Sequence, residues 1–186
     1  MSSAGVLLAA GGGIRFHGAT HKLVTDFRGR PLVSWAIAAL SRVKVDEKIV
    51  VSGALPLAAL VPEDFTLLEN HDWQRGMAVS LRLALHWAEL QGHDSVVVGL
   101  GDQPGVEPSA WELVLSVRKS PIAVATYGGE RRNPVRLDRS IWSLLPIEGD
   151  DGARTVMRDR PELVTEVACE GSPFDIDTLE DLAVWT

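Results

Sequence analysis

The sequence contains one cysteine, Cys169, so an intramolecular disulfide and a cysteine-based metal cluster are both excluded. Positive charge is also scarce: 18 Lys and Arg face 25 Asp and Glu, a net charge of −7 that argues against a broad nucleic-acid or anionic-membrane surface. No apolar run approaches the length of a membrane span, and the first residues lack the basic region of a signal peptide. We expect a cytoplasmic protein that binds neither nucleic acid nor membrane.

Short apolar runs alternate with helical patterns along the 186 residues. They predict strands at 4–10, 48–52, 65–69, 95–100, 122–126, 133–137 and 163–168. The helical patterns cover 32–41, 78–91, 108–119, 139–145, 153–159 and 179–185. This alternation predicts an α/β fold, a single domain over residues 1–186 built on a doubly wound, mostly parallel, Rossmann-like sheet.

A glycine-rich loop follows the first predicted strand and carries two cations, Arg15 and Lys22. Consecutive backbone amides in such a loop form a concavity that binds anions. Two familiar phosphate motifs fail here: Phe16 stands where a dinucleotide fingerprint needs its third glycine, and Ala19-Thr20 stands where a P-loop needs Lys followed by Ser or Thr. We therefore predict a triphosphate site in which Arg15 and Lys22 balance the charge, and we disfavour a dehydrogenase.

An acidic residue, Asp102, follows another apolar strand pattern at 95–100. Ligands of open α/β sheets bind at the carboxyl ends of strands, where Asp102 and the glycine-rich loop both lie. Mg²⁺ commonly uses one or two protein carboxylates together with substrate phosphates, so Asp102 is the first candidate ligand. The sequence shows no nucleophile–base pair of the Ser-His-Asp or Cys-His kind.

These motifs resemble the MobA-like NTP transferase domain family. The matches are Leu8-Ala9-Ala10-Gly11, Arg15-Phe16, Gly18, Lys22 and Gly29-Arg30-Pro31-Leu32, followed in order by 70–85, 99–106, 131–137, 149–154 and 175–182. One departure is His17, an extra residue before Gly18 that makes the path of the loop less certain. The resemblance implies a nucleotidyltransferase that uses Mg²⁺ to move a nucleotide onto a phosphorylated small acceptor, molybdopterin, with release of pyrophosphate. It also implies contact with a molybdoenzyme or its chaperone.

The resemblance assigns roles to particular residues. Catalysis falls to Arg15, Lys22 and Asp102, and the nucleotide is bound by Leu8, Ala9, Ala10, Gly11, Gly12, Gly13, Arg15, Lys22, Gly76, Ser80 and Asp102. The acceptor is bound by Arg132, Asn133, Asp151 and Arg154. Residues 1–105 then form an NTP-binding half and residues 106–186 an acceptor-binding half.

The metal ligands implied are Asp102 and Asp177. Asp175 and Asp177 flank Ile176, and we expect only one of them to join Asp102. Asp175 stays the alternative ligand. Helix capping is the alternative role for Asp177, because Thr178 and the acidic residues after it are typical of a helix start.

The choice of base rests on the first motif. The run Leu8-Ala9-Ala10-Gly11 resembles the cytidylyl-transferring branch, and the methyl group of Ala10 leaves room for a pyrimidine where glycine would admit a larger base. CTP is therefore the expected donor. The alternatives are GTP, a sugar-phosphate acceptor, or a non-catalytic nucleotide- or cofactor-binding protein on the same fold. Trp73, in the loop before Gly76, is the tryptophan expected to stack rather than pack.

Overall fold

The apolar runs form a seven-stranded sheet in the computed structural model, which describes residues 1–185. In chain order the strands are β1 (Ser3–Ala9), β2 (Asp26–Phe27), β3 (Arg30–Pro31), β4 (Glu47–Ser52), β5 (Thr66–Glu69), β6 (Ser95–Leu100), β7 (Ile122–Tyr127), β8 (Glu130–Asp138) and β9 (Val164–Ala168). The helices are α1 (Leu32–Ser41), α2 (Met77–Leu90), α3 (Pro108–Ser116), α4 (Arg154–Asp159) and α5 (Leu179–Trp185). Strands β2 and β3 pair with each other outside the main sheet.

The main sheet has the strand order β5-β4-β1-β6-β8-β7-β9. Strand β8 runs antiparallel to both of its neighbours, and the other strands run parallel to one another. The predicted doubly wound, mostly parallel sheet is therefore confirmed. Every residue of β1 is buried, since helices cover both faces of the sheet, and this explains why its sequence lacks polar alternation.

Three elements differ clearly from the sequence prediction, one of them α3, which ends at Ser116 rather than at Lys119. Strand β8 begins at Glu130 rather than at Asn133, because Gly128 and Gly129 both take positive φ and close a tight hairpin with β7. The helix predicted over 139–145 is a 3₁₀ helix over Arg139–Leu144. Within residues 1–185, no helix has the length and apolar character that a membrane crossing requires.

Two cores flank the sheet. One lies under α2 and α4 and includes Leu81 and Met157; the other lies under α1 and α3 and includes Ile37 and Trp111. A third, small cluster holds the C-terminal segment against the β2–β3 hairpin through Ile176, which is 0% exposed.

The pairing of β1 with β4 and β6 determines the position of the site. Strand β1 pairs with β4 on one side and with β6 on the other, so the chain reverses its direction of winding between β1 and β6. The amide of Gly101 donates to the carbonyl of Leu8 (2.9 Å), which joins the carboxyl ends of these two strands. Doubly wound sheets bind their ligands at this switch point.

A substitution at Gly99 tests how closely β6 packs against Trp111 of α3. A Cβ at Gly99 would overlap the indole of Trp111, which is 2% exposed. We expect Gly99→Ala to cost about 1–3 kcal/mol, as overpacking of a filled core does, and to lower Tm by about 2–4 °C per kcal/mol in a thermal melt. Gly11→Ala is the matched control, because a Cβ there meets nothing within 4 Å. Equal Tm values for the two variants would contradict the expectation.

Candidate active site

Lys22 lies between two carboxylates that come from distant parts of the chain. Its Nζ donates to Oδ2 of Asp102 and to Oδ1 of Asp177, each at 2.7 Å. The Lys22 side chain is 10% exposed, whereas the two carboxylates are 18% and 21% exposed. Burial lowers the pKa of Lys22, but Asp102 and Asp177 raise it more, so the pKa lies above its ordinary value and the ammonium stays charged.

Arg15 approaches the same cluster from the glycine-rich loop. Its guanidinium lies 2.8 Å from Oδ2 of Asp177, and its side chain is 77% exposed. An ion pair this exposed contributes little stability, because water and salt screen it. Arg15 is therefore free to exchange Asp177 for an anionic ligand at small cost.

Asp175 and Asp177, which flank the buried Ile176 in the sequence, have different partners. The amide of Ile176 donates to the carbonyl of Asp102 (3.0 Å), which fixes the segment beside the end of β6. Asp177 meets Lys22, whereas Oδ1 of Asp175 accepts a hydrogen bond of 2.7 Å from Nε2 of Gln103. Burial first, and Asp102 next, raise the pKa of the Asp175 carboxyl above its usual range.

Helix capping at α5 is done by residues other than the Asp177 carboxylate. Oδ2 of Asp181 accepts hydrogen bonds from the amides of Asp177 (3.0 Å) and Thr178 (2.8 Å), and the Thr178 hydroxyl accepts one from the amide of Asp181 (3.1 Å). This reciprocal arrangement is a capping box. It leaves the carboxylate of Asp177 for Lys22 and Arg15.

The donor set suits an oxygen-ligated divalent cation. Asp102 and Asp177 supply carboxylate oxygens, and Oδ1 of Asp102 is buried without a hydrogen-bond partner in the described chain. Among residues 1–185 no group of three or more His, Cys, Asp or Glu side chains could hold a metal ion. Two carboxylates completed by phosphate and water are the arrangement that Mg²⁺ prefers.

The glycine-rich loop lies over this cluster. Gly11 is exposed, and the amide of Phe16 donates to the carbonyl of Gly13 (2.9 Å), where φ is +61°. His21, which the sequence did not single out, fixes the far end of the loop. Its Nδ1 accepts from the amide of Leu23 (3.3 Å), so Nε2 carries the proton and donates to the carbonyl of Gly11 (3.2 Å). The additional His17 is exposed.

Trp73 lies against the same loop. A Cβ on Gly12 would come within 2.8 Å of the Trp73 ring, so the indole covers this face of the loop. The methyl group of Ala10 is buried, and a Cβ on Gly53 would lie 2.8 Å from it. The geometry therefore gives Ala10 a packing role, and its proposed influence on the size of the base rests on the resemblance alone.

Two residues expected at the base have other contacts. Gly76 takes φ +105°, and a Cβ there would lie 2.5 Å from the backbone of Gly149, which crosses the start of α2. Ser80 is 3% exposed, and its hydroxyl accepts a hydrogen bond of 2.8 Å from Asn70. In this structure Ser80 does not face the cleft.

A cavity of about 350 Å³ opens beside the charged cluster, over the α2 side of the sheet. All four residues expected to bind the acceptor line it, namely Arg132, Asn133, Asp151 and Arg154. Leu8, expected at the nucleotide, lines this cavity instead, and Ala9 is 4% exposed. Sequence reasoning missed Gln103 and Met157, which also line it. The Gly-Asp-Gln-Pro run after β6 was the available signal for Gln103.

The family follows from comparison with known sequences. The profile of the MobA-like NTP transferase domain matches residues 5–165. The chain belongs to this family.

MobA-like relatives share almost the full length of the chain. Nicotine blue oxidoreductase from Paenarthrobacter nicotinovorans is 32% identical over 193 residues, covering 96% of this chain and 93% of that protein. The structure of Rv0371c from Mycobacterium tuberculosis superposes with a TM-score of 0.87 at 27% identity, covering 99% of this chain and 96% of that chain. The same mycobacterial protein has also been solved in complex with manganese, with a TM-score of 0.82 and 25% identity over 100% of this chain and 98% of that chain.

A nucleotidyl transferase from Methanothermobacter, Mth528, has the same fold. Its TM-score is 0.83 at 19% identity, over 98% of this chain and 95% of that chain. At this identity the likeness concerns the fold alone. MobA-like membership and this fold together make the chain a nucleotidyltransferase-like protein.

Lys22→Met tests whether the ammonium holds the two carboxylates together. We expect a loss of about 3 kcal/mol without divalent cations, the low end for a broken buried ion pair, because Asp102 and Asp177 keep about a fifth of their surface exposed. Millimolar Mg²⁺ should raise the Tm of Lys22→Met more than that of the wild type, since the cation replaces the missing charge. Melts in EDTA and in MgCl₂ measure both effects. The exposed Arg15→Met is the control, and an equal Mg²⁺ response in wild type and Lys22→Met would contradict the expectation.

Proposed function

We propose that the protein transfers a nucleotidyl group from a nucleoside triphosphate, CTP, to the terminal phosphate of molybdopterin and releases pyrophosphate. The observation that carries the proposal is the cluster of Lys22, Arg15, Asp102 and Asp177 at the carboxyl ends of β1 and β6, beside a separate cavity. Cations in a glycine-rich loop suit a triphosphate, and the cavity has room for a second substrate.

The residues perform the reaction by positioning and by balancing charge. An oxygen of the acceptor phosphate attacks the α-phosphorus, and the bond from that phosphorus to the pyrophosphate oxygen breaks. The acceptor oxygen is already anionic near neutral pH, so no general base is needed. Lys22 and Arg15 neutralise the triphosphate, while Asp102 and Asp177 would hold Mg²⁺. That ion, when bound, offsets the charge that develops on the phosphate oxygens.

The acceptor assignment rests on resemblance and on the lining of the cavity. Arg132, Asn133 and Arg154 supply donors for an anionic partner. Residues 1–105 would provide the NTP half and residues 106–186 the acceptor half, although Met77 also lines the cavity and Asp177 belongs to the charged cluster. A molybdoenzyme or its chaperone is the proposed protein partner.

The name of one relative supports a second candidate. Nicotine blue oxidoreductase is the 32% identical protein, so this chain could instead pass a hydride from a nicotinamide cofactor to an acceptor in the cavity. The fingerprint of such a cofactor site remains interrupted at Phe16.

Pyrophosphate release tests the first candidate. The assay combines Mg²⁺, molybdopterin cofactor and each of CTP, GTP, ATP and UTP in turn. We expect acceptor-dependent release with CTP, reduced about 100-fold or more in Asp102→Ala because a group that stabilises the transition state is lost. Asp64→Ala is the matched control, since Asp64 is an exposed carboxylate outside the site.

Other outcomes are equally informative. Release with GTP alone would replace CTP as the donor. Nucleotide binding without release with any of the four would favour a non-catalytic binder. Oxidation of NADH or NADPH that depends on a heterocyclic acceptor, with no pyrophosphate release, would replace the transferase by the oxidoreductase.

A further inference from the structure

Asp175 forms a polar end of the cavity and is hydrogen-bonded to Gln103 rather than to Lys22. Gln103, which is 3% exposed, fixes it: Nε2 of Gln103 donates to Oδ1 of Asp175 (2.7 Å) and to the carbonyl of Pro173 (2.9 Å). Both donors of the amide are thus in use. Across the described residues Oδ2 of Asp175 makes no hydrogen bond, so this carboxylate offers an acceptor oxygen to whatever fills the cavity.

The walls of the cavity are mostly aliphatic. They come from β1, α2, β6, β7, β8 and α4, through Leu8, Met77, Leu81, Val98, Leu100, Val124, Val135, Leu137 and Met157. A sugar bound there would press its hydroxyl groups against carbon atoms that cannot hydrogen-bond, and each unpaired hydroxyl would cost free energy. A flat ring system has faces that suit these walls and polar edges for the few polar side chains.

Positive charge also lines the cavity, from four arginines. Three are paired: Arg131 with Glu166, Arg132 with Glu130 and Arg158 with Asp159. The fourth, Arg154, is exposed and has no ion pair in the part of the chain that the structure describes. Arg154 is therefore the guanidinium most available to an anionic group of the ligand.

We propose that Asp175, oriented by Gln103, determines specificity in the cavity by accepting hydrogen bonds from adjacent N–H groups on the edge of a flat heterocycle, whose anionic group is held by Arg154. A carboxylate pairs with two neighbouring N–H donors through its two oxygens and rejects an edge in which one donor is replaced by a carbonyl. Asp175 is then a specificity residue for the acceptor and not the second metal ligand. The inference rests on the proposed function in taking this heterocycle as the acceptor.

Two probe molecules that differ only at the hydrogen-bonding edge of the heterocycle test the role of Asp175. Pterin-6-carboxylate presents a ring N–H beside an exocyclic amine, whereas lumazine-6-carboxylate has a carbonyl in place of the amine. We expect the full chain, without nucleotide or divalent cation, to bind the pterin at least about tenfold more tightly than the lumazine in a fluorescence titration. Glucose 1-phosphate should bind more weakly than either.

The variants locate the preference. Asp175→Asn should reduce the preference for pterin over lumazine to about one or invert it, because an amide can donate to the lumazine carbonyl. Arg154→Ala should weaken both probes by a similar factor and leave their ratio unchanged. Glu162→Gln, which changes an exposed carboxylate outside the cavity, should keep both affinities.

Several results would overturn the inference: equal affinities of wild type for the two heterocycles, tighter binding of glucose 1-phosphate, no binding of either heterocycle at millimolar concentration, or an unchanged ratio in Asp175→Asn. Should that variant fail to fold, the wild-type ratio decides the matter. These titrations contain no nucleotide, so their outcome is independent of pyrophosphate release. Loss of transfer with the selectivity intact would reject the proposed reaction and keep the role of Asp175.

Discussion

The ammonium of Lys22 is the contact on which the geometry of the site depends. It joins the end of the glycine-rich loop to Asp102, two residues after the end of β6, and to Asp177 in the segment before α5, at 2.7 Å from each carboxylate. Without it, Asp102 and Asp177 would repel each other in a partly buried setting, where charge is screened less than in water. The three segments meet at the switch point of the sheet, because the parallel strands β1 and β6 end side by side there. One positive charge therefore assembles a site from residues 80 and 155 positions apart from it.

One buried side chain, Ile176, lies between two carboxylates that have different partners. Ile176, held among Phe27 and Leu32, leaves Asp177 on the charged side and Asp175 on the cavity side. Side chains two residues apart share one face of a regular strand, so the different partners of Asp175 and Asp177 reflect the irregular backbone of this segment, which is not a strand. The packing of Ile176 thus helps to hold one carboxylate beside Lys22 and the other beside Gln103.

Both the sheet and the charged cluster could be predicted from the sequence, but for different physical reasons. Strands buried on both faces read as continuous apolar runs, which made β1 and β6 visible, and the residues that follow such strands gather at one edge. The hairpin at Gly128 was missed, although paired glycines carry that signal. The other walls of the cavity could not be predicted from sequence alone, because Gln103, Leu81 and Met157 line it through the packing of separate elements. The burial of Ser80 could not be predicted either, because nothing local marks its hydrogen bond from Asn70.

The charged cluster and the cavity are built from different residues, and this bears on why MobA-like relatives carry different names. In the proposed function Arg15, Lys22 and the loop amides offer charge and hydrogen bonds that any polyphosphate can use. Selectivity requires surfaces that differ in shape and polarity, and we propose the aliphatic walls with Asp175 and Arg154 as those surfaces in this chain. A fold of this kind can keep its phosphate side while the cavity changes, so the activity of a member cannot be inferred from the charged cluster alone. In the proposed function the identity of the acceptor is therefore a question about the cavity, and Asp175 links the cavity to the charged cluster, since the amide of its neighbour Ile176 donates to the carbonyl of Asp102.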